Sequence, residues 1–404
     1  MDPVFGLRRP ADLQPRAVPD HEPIVAARIA AEIEAGGPIT FARFMELALY
    51  DPEGGYYTGE EVRPGRAGDF ITAPEAHAIF GWALARQVRQ LWELLDRPDP
   101  FVIREHGAGT GALILAILEG LAREAPELLA ALRYQPVEVD VRRIETLAGR
   151  LREAGHAERL DPSDAAEHGP ITGLVLANEV LDALPVHRVR GAAGGVTEPL
   201  EELYVAHRDG GFEEVAGPPS TPALATRLAA EGISLRPGQH GEICLAVDGW
   251  LRAAAGDLAR GLLLLIDYGY PAHELYDPVR RPRGTLLAYQ HHRAVDNPFQ
   301  SVGRQDLTAH VDVTAVEAAA RRAGLATAGI TTQAELLVSL GAGELLAALQ
   351  ARPGITIEAY LAARSALVRM LDPAAMGRFR VMAFERGLPP GASLKSFEFR
   401  LPAR

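Results

Sequence analysis

Lysine and cysteine are nearly missing from this sequence, which has one of each, Lys395 and Cys244. A lone cysteine excludes an internal disulfide, and no ladder of cysteine and histidine stands at zinc-ligand spacing. Cys244, within "GEICLAV", reads as an inert thiol in a buried strand. Positive charge is carried almost wholly by arginine, which reads as codon bias and receives no functional weight. A basic excess is also missing: 41 basic residues against 53 acidic ones leave a net charge of −12. That balance argues against sequence-independent binding to nucleic acid or to anionic membranes. No run of ~18 apolar residues occurs, so no spanning helix is expected. The longest candidate, "GLLLLIDYGY", is interrupted by Asp267. The opening "MDPVFGLRRPADLQPRAVPD" has no apolar core of signal-peptide length. The expectation is a cytoplasmic protein without membrane insertion.

What is present is ordinary globular material, 48% hydrophobic and 23% charged over 404 residues, enough for one large domain or two. After a loose Pro- and Arg-rich arm, Glu22 to Leu49 reads as two helices hinged at "GGPIT", with Thr40 capping the second. A long stretch rich in turn formers, "YDPEGGYYTGEEVRPGRAGDFITAP", follows, and loops of that length usually have a task. A helix is expected from Pro74 to Leu95. The rhythm then becomes strand, helix, strand, helix: "FVIRE", "GALILAILEGLAREA", "YQPVEVD", "VRRIETLAGRLREAG". A weak strand near Glu158 to Leu160, then "GLVLAN" and "RGLLLLIDYGY", continue it, and "ATAGITT" and "RFRVMAF" supply two last strands, the final one antiparallel. This alternation predicts a doubly wound α/β sheet. From Gly191 to Ala246 the pattern breaks into an insertion with a β-hairpin turning at "RDGG". Four units are expected: 1–95 as arm, helices and covering loop, 96–190 as the first half of the core, 191–256 as insertion, and 257–404 as the second half and tail.

The stretch "REHGAGTGAL" puts Gly107, Ala108, Gly109 and Gly111 between a strand and a helix, where backbone can approach a ligand at a helix N-terminus. Two cofactors fit. As G-x-G-x-x-G/A, the residues Gly107, Gly109 and Ala112 match a dinucleotide loop with Glu138 at ribose distance. As acid-x-G-x-G-x-G, Glu105, Gly107, Gly109 and Gly111 match the loop that holds S-adenosylmethionine, with Glu138 again on the ribose. A carboxylate at Glu105 would repel a diphosphate but suit a sulfonium and an ammonium, or would order the loop, which favours the methyl donor.

"LVLANEVLDALPVHRV", where a buried strand runs into Asn178, Glu179, Asp182 and Pro185, adds to this. Taken with "GDFITAPE", "EHGAGTGAL", "VEVD", "LLIDYGY", "GTLLAYQHHR" and "DLTAHVDV", in this order from Phe41 to Phe384, the chain resembles the MidA-like family. These are class I methyltransferases related to the mitochondrial complex I assembly arginine methyltransferase. The resemblance implies a Rossmann-like class I methyltransferase sheet with an N-terminal helical cap and an inserted β-hairpin/helix subdomain. It implies S-adenosyl-L-methionine as donor and, by the mitochondrial relative, a protein arginine as acceptor. By position, Gly107, Ala108, Gly109, Gly111, Glu138, Glu105 and Asn178 fall at the cofactor, Asp69 and Phe70 would close over it, and Glu179 and Asp182 would face the substrate. Two positions depart from the family pattern: Ala108 stands where proline is frequent, and Asp140 where serine is.

An arginine acceptor is cationic and needs carboxylates to hold it, best bidentately. Glu179 and Asp182, three apart past a strand end, could point to one side and clamp it, or could merely cap the next segment. Asp69 fits a cofactor contact or an Asx turn, Asp267 a substrate contact or a cap. His310 is a candidate hydrogen-bonding site residue. His291 and His292, adjacent in a strand, point to opposite faces, and no metal site is expected. Tyr56 and Tyr57 could line a substrate channel. Partners are then a protein substrate and a possible homodimer, with no nucleic acid. The open alternatives are a methyltransferase for small molecules or other protein nucleophiles, a nicotinamide-dependent oxidoreductase, and a non-catalytic assembly factor.

Overall fold

Only a strand covered on both faces can bury five apolar side chains in a row, and Leu262 to Ile266 are all buried in the computed structural model. The residues described are 24–59, 72–161, 169–192, 200–290, 293–295 and 297–401. The core elements are β1 (Phe101–His106), α1 (Ala112–Glu124), β2 (Leu132–Val137), α2 (Val141–Glu153), β3 (Ile171–Asn178), α3 (Ala246–Gly256), β4 (Leu258–Asp267), α4 (Val313–Arg322), β5 (Ala326–Thr332) and β6 (Arg380–Arg386). Six strands pair in the order β5-β6-β4-β3-β1-β2. The last four are mutually parallel, while β6 runs antiparallel to β4 and to β5. The weak strand expected near Leu160 is a single parallel bridge to Tyr134. On one face of the sheet lie α1 and the helix Ile79–Leu94, on the other α3 and α4. All four parallel strands therefore deliver their C-terminal ends to one rim, where sites of doubly wound sheets form.

Two expectations change. The helix expected from Pro74 to Leu95 is two pieces, Ala73–Ala76 and Ile79–Leu94. His77 separates them with extended backbone, its Nδ1 accepting from the Ile79 amide at 3.0 Å. "GGPIT" does join two helices, Ile24–Gly36 and Phe41–Tyr50, but its last two residues form a strand: Ile39–Thr40 pairs with Val205 and Tyr204. Thr40 still caps Phe41–Tyr50 by accepting from the Arg43 amide at 3.1 Å. The strand Leu200–Arg208 also pairs with His187–Gly191 and with Gly211–Gly217. Asp209 and Gly210 turn that hairpin with φ of 51° and 77°, the positive pair a two-residue turn demands. Three helices that periodicity had not drawn attention to, Gln333–Ser339, Ala342–Gln350 and Ile357–Leu371, pack beside Ile79–Leu94. A small antiparallel sheet of Leu287–Gln290, Arg293–Val295 and Asp306–Thr308 stands near the rim. Cys244 follows directly on the strand His240–Ile243, and burial pushes its thiol up to about 11.

Candidate active site

Past β1 the chain turns through Gly107, Gly109 and Gly111, with φ of 67°, 54° and 74°. Side chains are disfavoured in that region of backbone space. Their surroundings differ. A Cβ at Gly107 would lie 2.6 Å from Val180 Cγ2, and one at Gly111 2.6 Å from Leu147 Cδ1. At Gly109 the nearest atom would be 3.9 Å away. A side chain at either outer glycine would have to displace a neighbouring methyl group, and the middle one faces open space at the N-terminus of α1. Ala108 between them is buried.

Glu138 follows the end of β2 and accepts from the Gly109 amide. Burial raises its pKa, against the opposing charge of Arg143. Asp140 caps α2 by accepting from the Arg142 amide at 3.0 Å. Glu105 lies in the core, where the Tyr134 hydroxyl donates to it at 2.7 Å. Burial pushes it up to about 8. It is largely protonated at neutral pH, so a fixed negative charge there is not what separates the two cofactors.

β3 ends at Asn178, and Glu179 takes φ of 54°. A left-handed conformation in a residue other than glycine costs on the order of 1–3 kcal/mol and concentrates at functional sites. Asp267, at the end of β4, holds the turn that follows. Its Oδ2 accepts from the amides of Val180, Leu181 and Asp182 at 3.2, 2.8 and 3.3 Å, and its Oδ1 from Tyr268 at 2.8 Å. Of the two roles open to Asp267, the geometry is that of the scaffold. Glu179 accepts from Asn178 Nδ2 at 3.1 Å, and Tyr268 lies close enough to favour its charged form. Burial, then the charge of Asp267, pushes Glu179 up to about 8. Burial, then Asp267, Asp306 and Glu179, lifts Asp182 well above the carboxylate range.

Distant segments approach these acids. Asp306 takes the Tyr57 hydroxyl at 2.9 Å and stands opposite Tyr289 in the small sheet. Tyr57 stacks on Tyr50 at 5.5 Å, and Tyr50 donates to the Ala183 carbonyl at 3.0 Å, beside Asp182. His310 lies against Tyr268 and Tyr270, at 6.3 and 5.5 Å between ring centres. Burial, then Arg281 and Arg378, lowers it to about 4, so it is neutral at physiological pH. No hydrogen bond joins it to Glu179 or Asp182 among the described residues.

The structure thus gathers Glu179, Asp182 and Tyr57 on one side of the rim, and Gly109 and Glu138 on the other. Asp69 and Phe70, like His291 and His292, lie outside the described residues. Sequence reasoning did not single out Asp306, Tyr50, Tyr268, Tyr289 or Glu75. Four of these lie within the family motifs quoted above, Asp306 in "DLTAHVDV", Tyr268 in "LLIDYGY", Tyr289 in "GTLLAYQHHR" and Glu75 in "GDFITAPE", and Tyr50 opens the long turn-rich stretch. Glu75 approaches Thr110 Oγ1 at 3.5 Å, and burial raises its pKa.

Residues 83–331 match a family model described as "Putative S-adenosyl-L-methionine-dependent methyltransferase". The chain is 29% identical over 394 residues to the protein arginine methyltransferase NDUFAF7 homolog of Drosophila melanogaster, spanning 90% of this chain and 85% of that one. To the human protein arginine methyltransferase NDUFAF7 it is 28% identical over 303 residues, 70% and 65% of the two chains. Among solved structures it resembles a Burkholderia thailandensis protein bound to S-adenosyl-homocysteine, with a TM-score of 0.80 and 35% identity over 93% of this chain and 94% of that one. The expectation of a cytoplasmic protein is overturned, since the NDUFAF7 relatives are named mitochondrial.

Proposed function

The chain belongs to the MidA-like family of S-adenosyl-L-methionine-dependent methyltransferases, and on that premise we propose that it methylates an arginine guanidinium in a protein partner. One observation carries the acceptor. Glu179, Asp182 and Asp306 converge at the strand rim beside the glycine loop, raise one another's pKa or that of their neighbours, and are ringed by Tyr57, Tyr268 and Tyr289. Buried carboxylates without a cation are costly, and a guanidinium supplies both the charge and a fork of donors. Ring faces add to its hold. The names of the NDUFAF7 relatives point the same way.

On the donor side, the backbone of Gly107, Ala108, Gly109 and Gly111 would receive the cofactor, Glu138 its ribose hydroxyls and Asn178 its inner flank. Glu105 would order the loop from beneath, and Asp69 and Phe70 would close over the site. The donor, when bound, supplies a methyl group on a positively charged sulfur. Glu179 and Asp182 then aim one guanidinium nitrogen along the line of displacement, and the tyrosines exclude water. The acceptor nitrogen gives up a proton as it takes the methyl. Glu179 is largely protonated in the unliganded protein; a bound guanidinium would favour its carboxylate, which is then placed to accept that proton. The edge of strand Gly211–Gly217 that is unpaired among the described residues would contact the partner or a second copy, and light scattering separates these.

The test is incubation of cell extract with methyl-labelled donor and wild-type protein or Gly109→Val. The expected result is label on arginine of a protein, absent with the variant. Label on small metabolites alone overturns the acceptor assignment.

A further inference from the structure

Between the two halves of the site runs one continuous set of contacts centred on Tyr57. Its hydroxyl donates to Asp306 in the acceptor chamber at 2.9 Å. Its carbonyl accepts from Arg143 Nη2 at 3.2 Å, and the Arg143 guanidinium lies 5.7 Å from the centre of its ring. Arg143 is in the first turn of α2, and its charge acts on Glu138, which holds the Gly109 amide. Arg143 Nε is buried with no hydrogen-bond partner among the described residues, an unused donor beside the ribose carboxylate. The neighbouring Arg142 also reaches across to the Thr58 carbonyl. The segment Tyr57–Thr58 is thus strapped to the donor-side helix while its one phenol orients an acceptor-side acid.

We infer that Tyr57 is a positioning residue that couples the two sites: donor bound at Glu138 draws on Arg143, which fixes Tyr57 and with it the aim of Asp306. The inference rests on the proposed cationic acceptor. An unpaired buried N–H is costly, so a ligand that gives Arg143 or its carboxylate neighbour a new partner changes what holds Tyr57. A change of one hydrogen bond is enough to shift acceptor affinity several-fold.

The experiment measures binding of methylguanidine to the full chain by calorimetry, with and without saturating S-adenosyl-homocysteine. In wild type the cofactor product should tighten methylguanidine binding about fivefold or more, the lower end of ordinary coupling. Tyr57→Phe, which keeps the ring and removes the hydroxyl, should bind S-adenosyl-homocysteine within about twofold of wild type and lose that enhancement. Arg143→Met should lose it too. Thermal midpoints check that both variants are folded. An enhancement unchanged in Tyr57→Phe, or none in wild type that binds methylguanidine, overturns the coupling alone. No methylguanidine binding in either condition overturns the cationic-acceptor reading and the coupling with it.

Discussion

The proposed donor half of the cleft joins Gly109 to Glu138, 29 positions apart, through a backbone amide. The proposed acceptor half joins Tyr57 to Asp306, 249 positions apart, through two side chains. The first is a backbone device, fixed by three positive φ angles and by the lack of room for a Cβ at two of them. The second is a side-chain device, in which segments from the N-terminal cap, the rim turn and the small sheet each contribute one or two groups. A backbone device tolerates little change and suits a donor that stays the same. A side-chain device can be altered residue by residue, which is what a change of acceptor requires.

The comparison breaks first at Gly109. Gly109→Val places its side chain in open space, so the fold should survive with a loss of about 1–2 kcal/mol from the positive φ. Affinity for S-adenosyl-homocysteine should fall at least about 100-fold by calorimetry, since the side chain fills the space from which a ligand meets the loop. A variant that binds normally would show that the open side of the loop is not the donor site. On the other half, Asp182→Asn should reduce methyl transfer about 30-fold or more while leaving S-adenosyl-homocysteine affinity within about twofold. Because burial already disfavours the charged form of Asp182, its thermal midpoint should hold or rise. A fall in both affinities would mean the two halves are not separable in this way.

The smallest effect is on stability against pH. Glu105 and Glu179 sit near 8 and Asp267 near 7, all raised above the ordinary carboxylate value, so the folded state holds more protons than the unfolded one. Their contribution to stability is therefore complete below about pH 4 and is lost as pH rises through 7 to 8. The unliganded protein should show a thermal midpoint that declines from pH 5 to 8.5. A flat profile would mean that these acids have partners that already neutralise them.

Much of the donor half could be read in the sequence because its signals are local. The apolar run to Ile266, the glycines after "FVIRE" and Glu138 all announce themselves within a few residues. The acceptor half could be read as far as Glu179 and Asp182, which follow a strand end, with Tyr57 named as a possible channel residue and His310 as a hydrogen-bonding candidate. Asp306 was hidden because its partner Tyr57 is distant and its own strand is three residues long, too short for a period. The charge on Glu105 misled for a related reason: what neutralises it, burial within the core, is a property of the folded sheet and outweighs the Tyr134 hydroxyl that favours the charged form. Ile39–Thr40 read as a hinge because two residues carry no strand signature until Val205 and Tyr204 lie alongside.

The order of strands has a practical side for anyone trimming the gene. β6, from residues 380–386, is inserted between β4 and β5, and so lies beyond the end of the matched segment yet inside the sheet. A clone confined to 83–331 would lack that inner rail and would also shed Tyr50 and Tyr57. Such a product should be recovered in inclusion bodies, and useful boundaries should enclose at least Ile24 through Arg386.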